Sequence, residues 1–350
     1  MNCSEREHQA LFNTACTVEG SERACVKYVV IYGPRDLRVE DVAVPTVGSE
    51  DILIQVKACG ICGSDLHRYV GDRFGRRLAP YPLNSGHEYS GVVTRVGEHV
   101  TRFQVQDRVT LGLNWVRDGM GAFAEYLRIP QADDRPIGKL PDGISFEEAA
   151  QIEPLIVALN GFRGAAPAVT ERVLILGAGP IGLCLLQRCR SEGLTDILVS
   201  ERSPLRLRVA KQLGAIGIDA ATEDVEDRVH ALTDGQGVDV TFECAGAAST
   251  TQQATSLTRR RGRIMLIAHY STSTGLDAEE IVSKNLIVYG YDSYAKDAYE
   301  EAIGLILAGK IQLTPLISHE FPLERAKEAF DVALQPTQSV KVLIKPTISP

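Results

Sequence analysis

The chain has 350 residues, of which 44% are hydrophobic and 23% charged, and its formal net charge is −8 at pH 7. This length predicts two domains, and this composition is ordinary for a soluble globular protein. The negative charge argues against a nucleic-acid or membrane-surface binder, because such partners require a basic face. No apolar run reaches the roughly 20 residues that would span a bilayer.

Residues 1–26 mix acidic, basic and polar side chains and lack the apolar segment of a signal peptide. We therefore expect an irregular N-terminal extension and a cytoplasmic protein. The chain has eight cysteines. In a reducing compartment we expect these to be thiols or metal ligands, not a disulfide framework.

From Lys27 onward, short β-rich segments alternate with glycine and proline. Short strands with this punctuation predict a partly antiparallel, barrel-like first domain. The predicted strands cover residues 28–32, 51–57, 91–96, 107–111 and 124–129.

After Thr170 the pattern changes to apolar strands that alternate with helical segments. This alternation predicts an α/β domain with a doubly wound parallel sheet. The predicted strands are residues 172–176, 196–200, 238–242, 263–268 and 286–289, and the first predicted helices are 181–191 and 204–213. Helices at 299–308 and 323–334 and a strand at 339–344 complete the chain.

A glycine-rich G-x-G-x-x-G motif lies between a predicted strand and a predicted helix, the context that a dinucleotide site requires. Gly177 permits the tight turn, Gly179 lets a pyrophosphate approach the backbone, and Gly182 lets helix and strand pack closely. The motif is completed by Pro180 and Ile181. Unpaired N–H groups at the helix start would bind the phosphates.

An acidic residue is expected about 20 residues after this motif, and Glu201 stands there. Its carboxylate can accept the ribose hydroxyls of NAD and would repel the additional phosphate of NADP. Arg202 and Arg206 are close in sequence and would favour that phosphate. We expect NAD to be preferred.

Two separated segments contain zinc-ligand residue types, namely Cys62 and the pair His87-Glu88. A catalytic zinc site needs a third protein ligand and one open position. Glu88 and Glu153 are both candidates for that ligand, and Glu153 directly precedes Pro154 at the expected domain junction. A buried thiol and a core histidine are the alternatives for each residue taken singly.

Zinc beside a dinucleotide would suit the removal of a hydride from an alcohol, because a cation lowers the pKa of a hydroxyl group that it binds. The released proton needs a path to solvent, and we expect Ser64 and His67 to pass it on. Asp65 is a candidate partner for a ligating imidazole. Cys59 is expected to be structural.

The segments GICGSDLH, SGHEYSG, GAFAEY, IEPL and LGAGPIG, in this order, resemble the zinc-containing medium-chain alcohol dehydrogenases. The resemblance runs from about Lys27 to Lys345. It implies a GroES-like catalytic domain at residues 27–154 and 295–350 and a Rossmann cofactor domain at 155–294. By the same resemblance, Cys62, His87 and Glu153 would be zinc ligands, with Glu88 behind the metal or joining it. Ser64 and His67 would match the relay.

The polyol branch of that family is indicated by Glu153-Pro154-Leu155, which stands in place of a cysteine ligand. This branch includes sorbitol, butanediol and threonine dehydrogenases. The resemblance implies oxidation of a secondary alcohol of polyol, vicinal diol or cyclitol type. An aminocyclitol or sugar intermediate of secondary metabolism is an alternative substrate.

One departure from the family concerns a lobe with four cysteines, because no cysteine occurs between Cys62 and Cys184. We expect one catalytic zinc per chain and no structural zinc. A homodimer or homotetramer is expected from the family. Trp115, in the shortened segment, and Tyr69 are candidate pocket residues.

Two other functions compete with this interpretation. A zinc-free enone or quinone reductase would keep the glycine motif without needing Cys62, His87 and Glu88 together. A non-catalytic nucleotide-binding protein would not need Ser64 and His67. Metal analysis and reduction of NAD by diols separate these classes.

Overall fold

The structure is a computed structural model that describes residues 25–78, 81–111, 121–291 and 297–347. The described residues form two compact units. The first contains the residues up to Glu153 together with His319–Leu334 and those from Val342 onward. The second contains Pro154–Ser318 and Gln335–Lys341. The predicted extension lies almost wholly outside the described residues, as does Trp115.

The first unit contains a three-stranded and a seven-stranded sheet. Its strands are β1 (Cys25–Gly33), β2 (Asp36–Ala43), β3 (Ile52–Gly60), β4 (Leu83–Asn84), β5 (Glu88–Val96), β6 (Arg108–Leu111), β7 (Tyr126–Ile129), β8 (Ile137–Lys139), β15 (Ile317–Pro322) and β16 (Lys341–Lys345). The order is β2-β1-β4 in one sheet and β15-β16-β3-β5-β6-β8 in the other, where β7 also pairs with β3. The pairings of β1, β3, β5 and β6 are antiparallel, as the barrel-like prediction requires.

The helices of this unit are short and lie between the strands. They are α1 (Gly63–Val70), α2 (Gly75–Leu78), α3 (Phe146–Ala149) and α11 (Ala326–Ala333), and α4 (Ile152–Ala165) begins here and continues into the second unit. The core of the unit is built from aliphatic and aromatic side chains of the strands, to which α11 contributes Phe330.

The second unit is a six-stranded parallel sheet with the order β11-β10-β9-β12-β13-β14. The strands are β9 (Val173–Leu176), β10 (Ile197–Glu201), β11 (Ile216–Asp219), β12 (Val238–Glu243), β13 (Thr258–Leu266) and β14 (Ile287–Gly290). The helices are α5 (Pro180–Ser191), α6 (Pro204–Gln212), α7 (Val225–Leu232), α8 (Ala248–Leu257), α9 (Ala278–Lys284) and α10 (Ala298–Leu307). The predicted combination of a GroES-like and a doubly wound Rossmann fold is confirmed.

Two sequence-based expectations outside the site are wrong. Cys25 is disulfide-bonded, whereas we expected the cysteines to be thiols or metal ligands and not to form disulfides. Tyr69 is no pocket residue, because it is 1% exposed, its hydroxyl donates to Asp331 at 3.1 Å, and its ring packs edge-on against Phe330. Within the described part of the chain, none of the helices combines the length and the apolar character needed to cross a bilayer.

Candidate functional site

Three predicted metal ligands lie together in the first unit. Donor atoms of Cys62, His87 and Glu88 all lie within 4.8 Å of one another. His87 is 7% exposed and Glu88 is 1% exposed, while Cys62 is half-buried. A thiolate, an imidazole and a carboxylate are the donor types that zinc accepts.

The pairing of β3 with β5 explains why segments distant in sequence meet here. Gly60, the last residue of β3, is the register partner of Glu88, the first residue of β5. Two residues after Gly60, Cys62 takes the N-cap position of α1 with extended backbone angles. A Cβ at Gly60 would lie 2.2 Å from Glu88 Oε2, so this glycine provides the space for the Glu88 carboxylate.

The fully buried Asp65 joins the two ligand segments. Its Oδ2 accepts the backbone N–H of Cys62 at 3.0 Å, and its Oδ1 accepts Nη1 of Arg68 at 3.1 Å. Ser85, which lies two residues before His87, donates its hydroxyl to the same Oδ1. Asp65 Oδ1 is 3.8 Å from His87 Nδ1, which is too long for a direct hydrogen bond.

The charges around His87 fit a bound cation. Burial lowers the pKa of His87, but the negative charges of Cys62, Asp65 and Glu153 together raise it well above its ordinary value. His87 Nδ1 is buried and has no hydrogen-bond partner within the described ranges. A group of anionic donors around a buried imidazole is the environment in which a divalent cation offsets the repulsion.

Glu153, the other candidate third ligand, lies in the first turn of α4 and is 6% exposed. Its negative charge acts on His87, so it is close to the site. Among the described residues, the donor atoms within 4.8 Å of one another belong to Cys62, His87 and Glu88, and Glu153 is not part of this group. The geometry therefore favours Glu88 over Glu153 for direct contact with a metal.

The two predicted relay residues share one side of α1, because they are three residues apart in a helix. Ser64 and His67 are both half-buried. The ring of His67 packs edge-on against Phe74, with a centroid distance of 5.2 Å. Its Nδ1 is 2.5 Å from Asp72 Oδ2, a contact that the sequence analysis missed.

The glycine-rich turn of the second unit has the geometry expected for phosphate binding. Gly177 has a φ of +101°, and a Cβ at Gly182 would lie 2.0 Å from the carbonyl oxygen of Gly177. In contrast, a Cβ at Gly179 would meet only Arg206 Nη1, at 3.8 Å. Gly179 is the N-cap of α5, and Pro180 follows in the first turn with Ile181. Open space at this helix start suits an approaching anion.

Glu201 lies at the carboxyl end of β10 and is bound to the turn beside it. Its Oε2 accepts the backbone N–H of Ala178 at 2.8 Å, and its Oε1 accepts those of Arg202 and Ser203 at 2.7 and 2.8 Å. The carboxylate is therefore fixed at the edge of the sheet where parallel α/β folds bind nucleotides.

The two nearby arginines differ in their environment. Arg202 is exposed, whereas Arg206 is half-buried and its Nε donates to the carbonyl oxygen of Ser339 at 2.8 Å. Burial lowers the pKa of Arg206, and the charge of Glu201 opposes that effect. Since a Cβ at Gly179 would lie 3.8 Å from Arg206 Nη1, the guanidinium is close enough to this turn to contact a phosphate or a ribose there.

Comparisons with known proteins extend over both units. Residues 180–308 match the family model described as zinc-binding dehydrogenase, and residues 48–142 match that of the alcohol dehydrogenase GroES-like domain. Sorbitol dehydrogenase of Bacillus subtilis (strain 168) is 30% identical over 347 residues, which cover 92% of this chain and 97% of the relative. (R,R)-butanediol dehydrogenase of the same strain is 31% identical over 344 residues, which cover 90% of this chain and 98% of the relative.

A solved structure is similar over the same extent. The crystal structure of 2R,3R-butanediol dehydrogenase from Bacillus subtilis aligns with a TM-score of 0.81 at 30% identity. The alignment covers 92% of this chain and 100% of that chain. Sequence and structure thus agree over nearly the whole length.

Proposed function

The chain belongs to the zinc-containing medium-chain alcohol dehydrogenases, and from this premise we propose that it oxidises a vicinal diol or polyol with NAD at one catalytic zinc. The class of reaction is hydride transfer between a secondary alcohol and a nicotinamide cofactor, which interconverts alcohol and ketone. The observation that carries the proposal is the convergence of Cys62, His87 and Glu88 in a single group.

We propose that Cys62, His87 and Glu88 would hold the zinc ion and that Glu153 would contribute its negative charge nearby without binding the ion directly. When bound, zinc supplies a Lewis acid that lowers the pKa of a substrate hydroxyl group. Ser64 would accept the proton that the alcohol loses while giving its own hydroxyl proton to His67, and the resulting imidazolium would release one proton to solvent. The helix start at Gly179 binds the cofactor phosphates, with Arg206 beside them.

The space at Gly60 gives a test of the third ligand. We expect Gly60→Ala to displace the Glu88 carboxylate, because the new methyl group would lie 2.2 Å from its Oε2. The displaced atom is the end of a flexible side chain, so the protein should still fold. We expect zinc affinity to fall by at least about tenfold to a hundredfold, the loss that follows when only a residue supporting a metal ligand is changed, measured by competition with a chromophoric chelator.

A matched pair of variants decides between the two carboxylates. Glu88→Gln should reduce zinc affinity at least as much as Gly60→Ala, while Glu153→Gln should have the smaller effect. If Glu153→Gln releases the metal and Gly60→Ala does not, Glu153 is the third ligand and the proposal for Glu88 is wrong.

The preference for NAD rests on the Glu201 carboxylate, which would lie beside the ribose. Because this carboxylate also accepts three backbone N–H groups, Gln is a better test than Ala: it keeps the size and one oxygen, which can still accept from Arg202 and Ser203, and it removes the charge, while its NH2 group loses the bond from Ala178. We expect Glu201→Gln to shift the ratio of NADP to NAD affinity by about tenfold toward NADP, or about 1.4 kcal/mol. Fluorescence titration with both reduced cofactors measures this ratio. An unchanged ratio would show that Glu201 does not distinguish the ribose of NAD from the phosphorylated ribose of NADP.

The substrate class follows from the relatives named sorbitol and butanediol dehydrogenase and from the carboxylate donors at the metal. We propose a screen of vicinal diols, sugar alcohols, cyclitols and aminocyclitols with both cofactors, followed at the absorbance of the reduced nicotinamide. Turnover restricted to aminocyclitols would favour the alternative from secondary metabolism. Zinc-free protein with full activity would contradict the proposal as a whole.

We propose one zinc per chain, a catalytic and a cofactor domain that follow the two compact units, in which residues 295–318 and 335–341 lie with the cofactor domain and not with the catalytic domain, a homodimer or homotetramer, and a cytoplasmic location. Metal analysis, limited proteolysis, light scattering and cell fractionation test these properties in turn.

A further inference from the structure

Three exposed arginines follow α1 and form one group, which we call the arginine cluster. Its members are Arg73, Arg76 and Arg77. The N–H of Arg76 donates to the carbonyl oxygen of Asp72 at 3.0 Å. The N–H of Arg77 donates to that of Phe74, also at 3.0 Å, so the segment forms a helical turn that continues into α2. Residues three and four positions apart on such a turn are neighbours, with about 5–6 Å between their Cβ atoms. The three arginine side chains therefore start from one face.

The other face of this turn packs against the proposed relay histidine. The ring of Phe74 lies edge-on to that of His67 at a centroid distance of 5.2 Å. A Cβ at Gly75 would lie 2.0 Å from the carbonyl oxygen of His67, so the two backbone segments are in close contact. His67 follows Cys62 in the same helix at a distance of about 8 Å along the helix axis. The arginine cluster therefore borders the proposed catalytic site and faces solvent there.

No member of the arginine cluster takes part in an ion pair within the described residues. The nearest carboxylates in the sequence have other partners. Asp72 contacts His67 at 2.5 Å, and Asp65 is paired with Arg68 at 3.1 Å. Like charges three or four residues apart repel one another, and here they do so in a chain whose net charge is −8. An anion bound by the arginines would offset this repulsion.

The metal end of the site is unsuited to the same anion. The Cys62 thiolate and the Glu88 carboxylate would together balance the charge of a divalent cation. Glu153 adds a further negative charge that acts on His87. An anionic group is therefore repelled from this end and attracted to the arginine cluster. Arginine binds phosphate and carboxylate groups through pairs of parallel N–H···O bonds, which suits it to this task.

We propose that the substrate is an anionic polyol, in which the secondary alcohol that reacts lies on a chain ending in a phosphate ester or a carboxylate. The arginine cluster binds this anionic end, while the reacting hydroxyl group reaches the metal ligands. The inference rests on the proposed function, because it names the substrate class of the same site. It also separates the candidate substrates. Neutral diols and sugar alcohols lack the anionic end, and an aminocyclitol carries a positive charge that the arginines repel.

Matched substrates test the role of charge directly. The measurement compares kcat/KM with NAD for a sugar alcohol, its terminal phosphate ester and the sugar acid of the same carbon skeleton. Because hydrogen bonds between charged groups are stronger than neutral ones, we expect one anionic compound to exceed the neutral polyol by about tenfold to a hundredfold. A preference for the phosphate ester or for the sugar acid identifies which anion is bound. Equal or faster turnover of the neutral polyol overturns the proposal.

A triple variant, Arg73→Gln with Arg76→Gln and Arg77→Gln, removes the charges of the cluster. These side chains are exposed, so the unfolding temperature should stay close to that of the unmodified protein. We expect the ratio of kcat/KM for the anionic substrate to that for the neutral polyol to fall by about tenfold to a hundredfold, mainly through KM. Lysine at the same three positions keeps the charge but not the paired bonds, and it should restore part of the ratio.

Arg261→Gln is the matched control, because Arg261 is an exposed arginine of β13 in the second unit. It should leave the ratio unchanged. Ionic strength gives a second readout: the KM of the anionic substrate should rise with salt in the unmodified protein and less so in the triple variant, because salt screens exposed charges.

The outcomes separate this inference from the proposed function. Zinc-loaded protein that oxidises no alcohol with either cofactor contradicts the proposed function itself. Equal efficiency on neutral and anionic polyols, or an unchanged ratio in the triple variant, leaves the proposed function standing and refutes the role of the arginine cluster.

Discussion

Cys62→Ser should abolish metal binding and reduce kcat/KM by about 1,000-fold or more, which corresponds to about 4 kcal/mol of lost transition-state stabilisation. A serine hydroxyl at this position does not replace a thiolate, and it leaves His87 and Glu88 as an incomplete set. Zinc content after dialysis against metal-free buffer and the rate of NAD reduction measure the two effects together.

Cys59→Ala is the matched control for that variant. Cys59 lies in the same Cys-x-x-Cys segment, but it is fully buried in the core of the first unit and is not in the donor group within the described residues. We expect it to lose some thermal stability and to keep its zinc. Full activity of Cys62→Ser, or equal metal loss in both variants, would contradict the assignment of Cys62.

Gly179→Ala should raise the dissociation constant of NAD by about 30-fold to 100-fold, or about 2–3 kcal/mol. The backbone angles of Gly179 are a φ of −68° and a ψ of −179°, which alanine adopts without strain. The new methyl group would meet only Arg206 Nη1 at 3.8 Å in the free protein. The unfolding temperature should therefore stay constant while cofactor binding is lost, as calorimetry of both processes can measure.

Two other glycine-to-alanine variants serve as controls for Gly179→Ala. Gly182→Ala should lower the unfolding temperature, because its methyl group would lie 2.0 Å from the carbonyl oxygen of Gly177. Gly304→Ala, in the open surroundings of α10, should leave NAD binding unchanged. If Gly179→Ala binds NAD normally, the phosphates do not approach this backbone.

The second unit was the easier part to predict from the sequence. Its central strands are continuous apolar runs, and the glycine motif fixes where the first strand ends. The strand β11 is not predicted, because Gly217 and Asp219 interrupt the apolar run. The helices α7, α8 and α9 are not predicted either. The helix α1 was missed because Gly63, Ser64 and Asp65 are weak helix formers, and its start depends on the hydrogen bond between Cys62 and Asp65.

For the metal site, residue types could be read from the sequence but distances could not. Cys62 and His87 were identifiable as ligand types, whereas a choice between Glu88 and Glu153 depends on the register of β3 with β5. The sequence did not indicate the contact between Asp72 and His67, because the two side chains meet only where the chain turns back at Gly71 after helix α1. A glycine at the end of a short helix that carries a functional histidine is the pattern that could have suggested it.

The buried carboxylate of Asp65 has a consequence for how the protein acquires its metal. Since Asp65 already connects Cys62 to Ser85 through protein hydrogen bonds, the segments that hold the ligands are assembled by the fold itself. Zinc fingers, by contrast, gain their structure from the ion. A chelator should therefore strip this protein to a folded, inactive apoprotein, and adding the ion back should restore function without a refolding step.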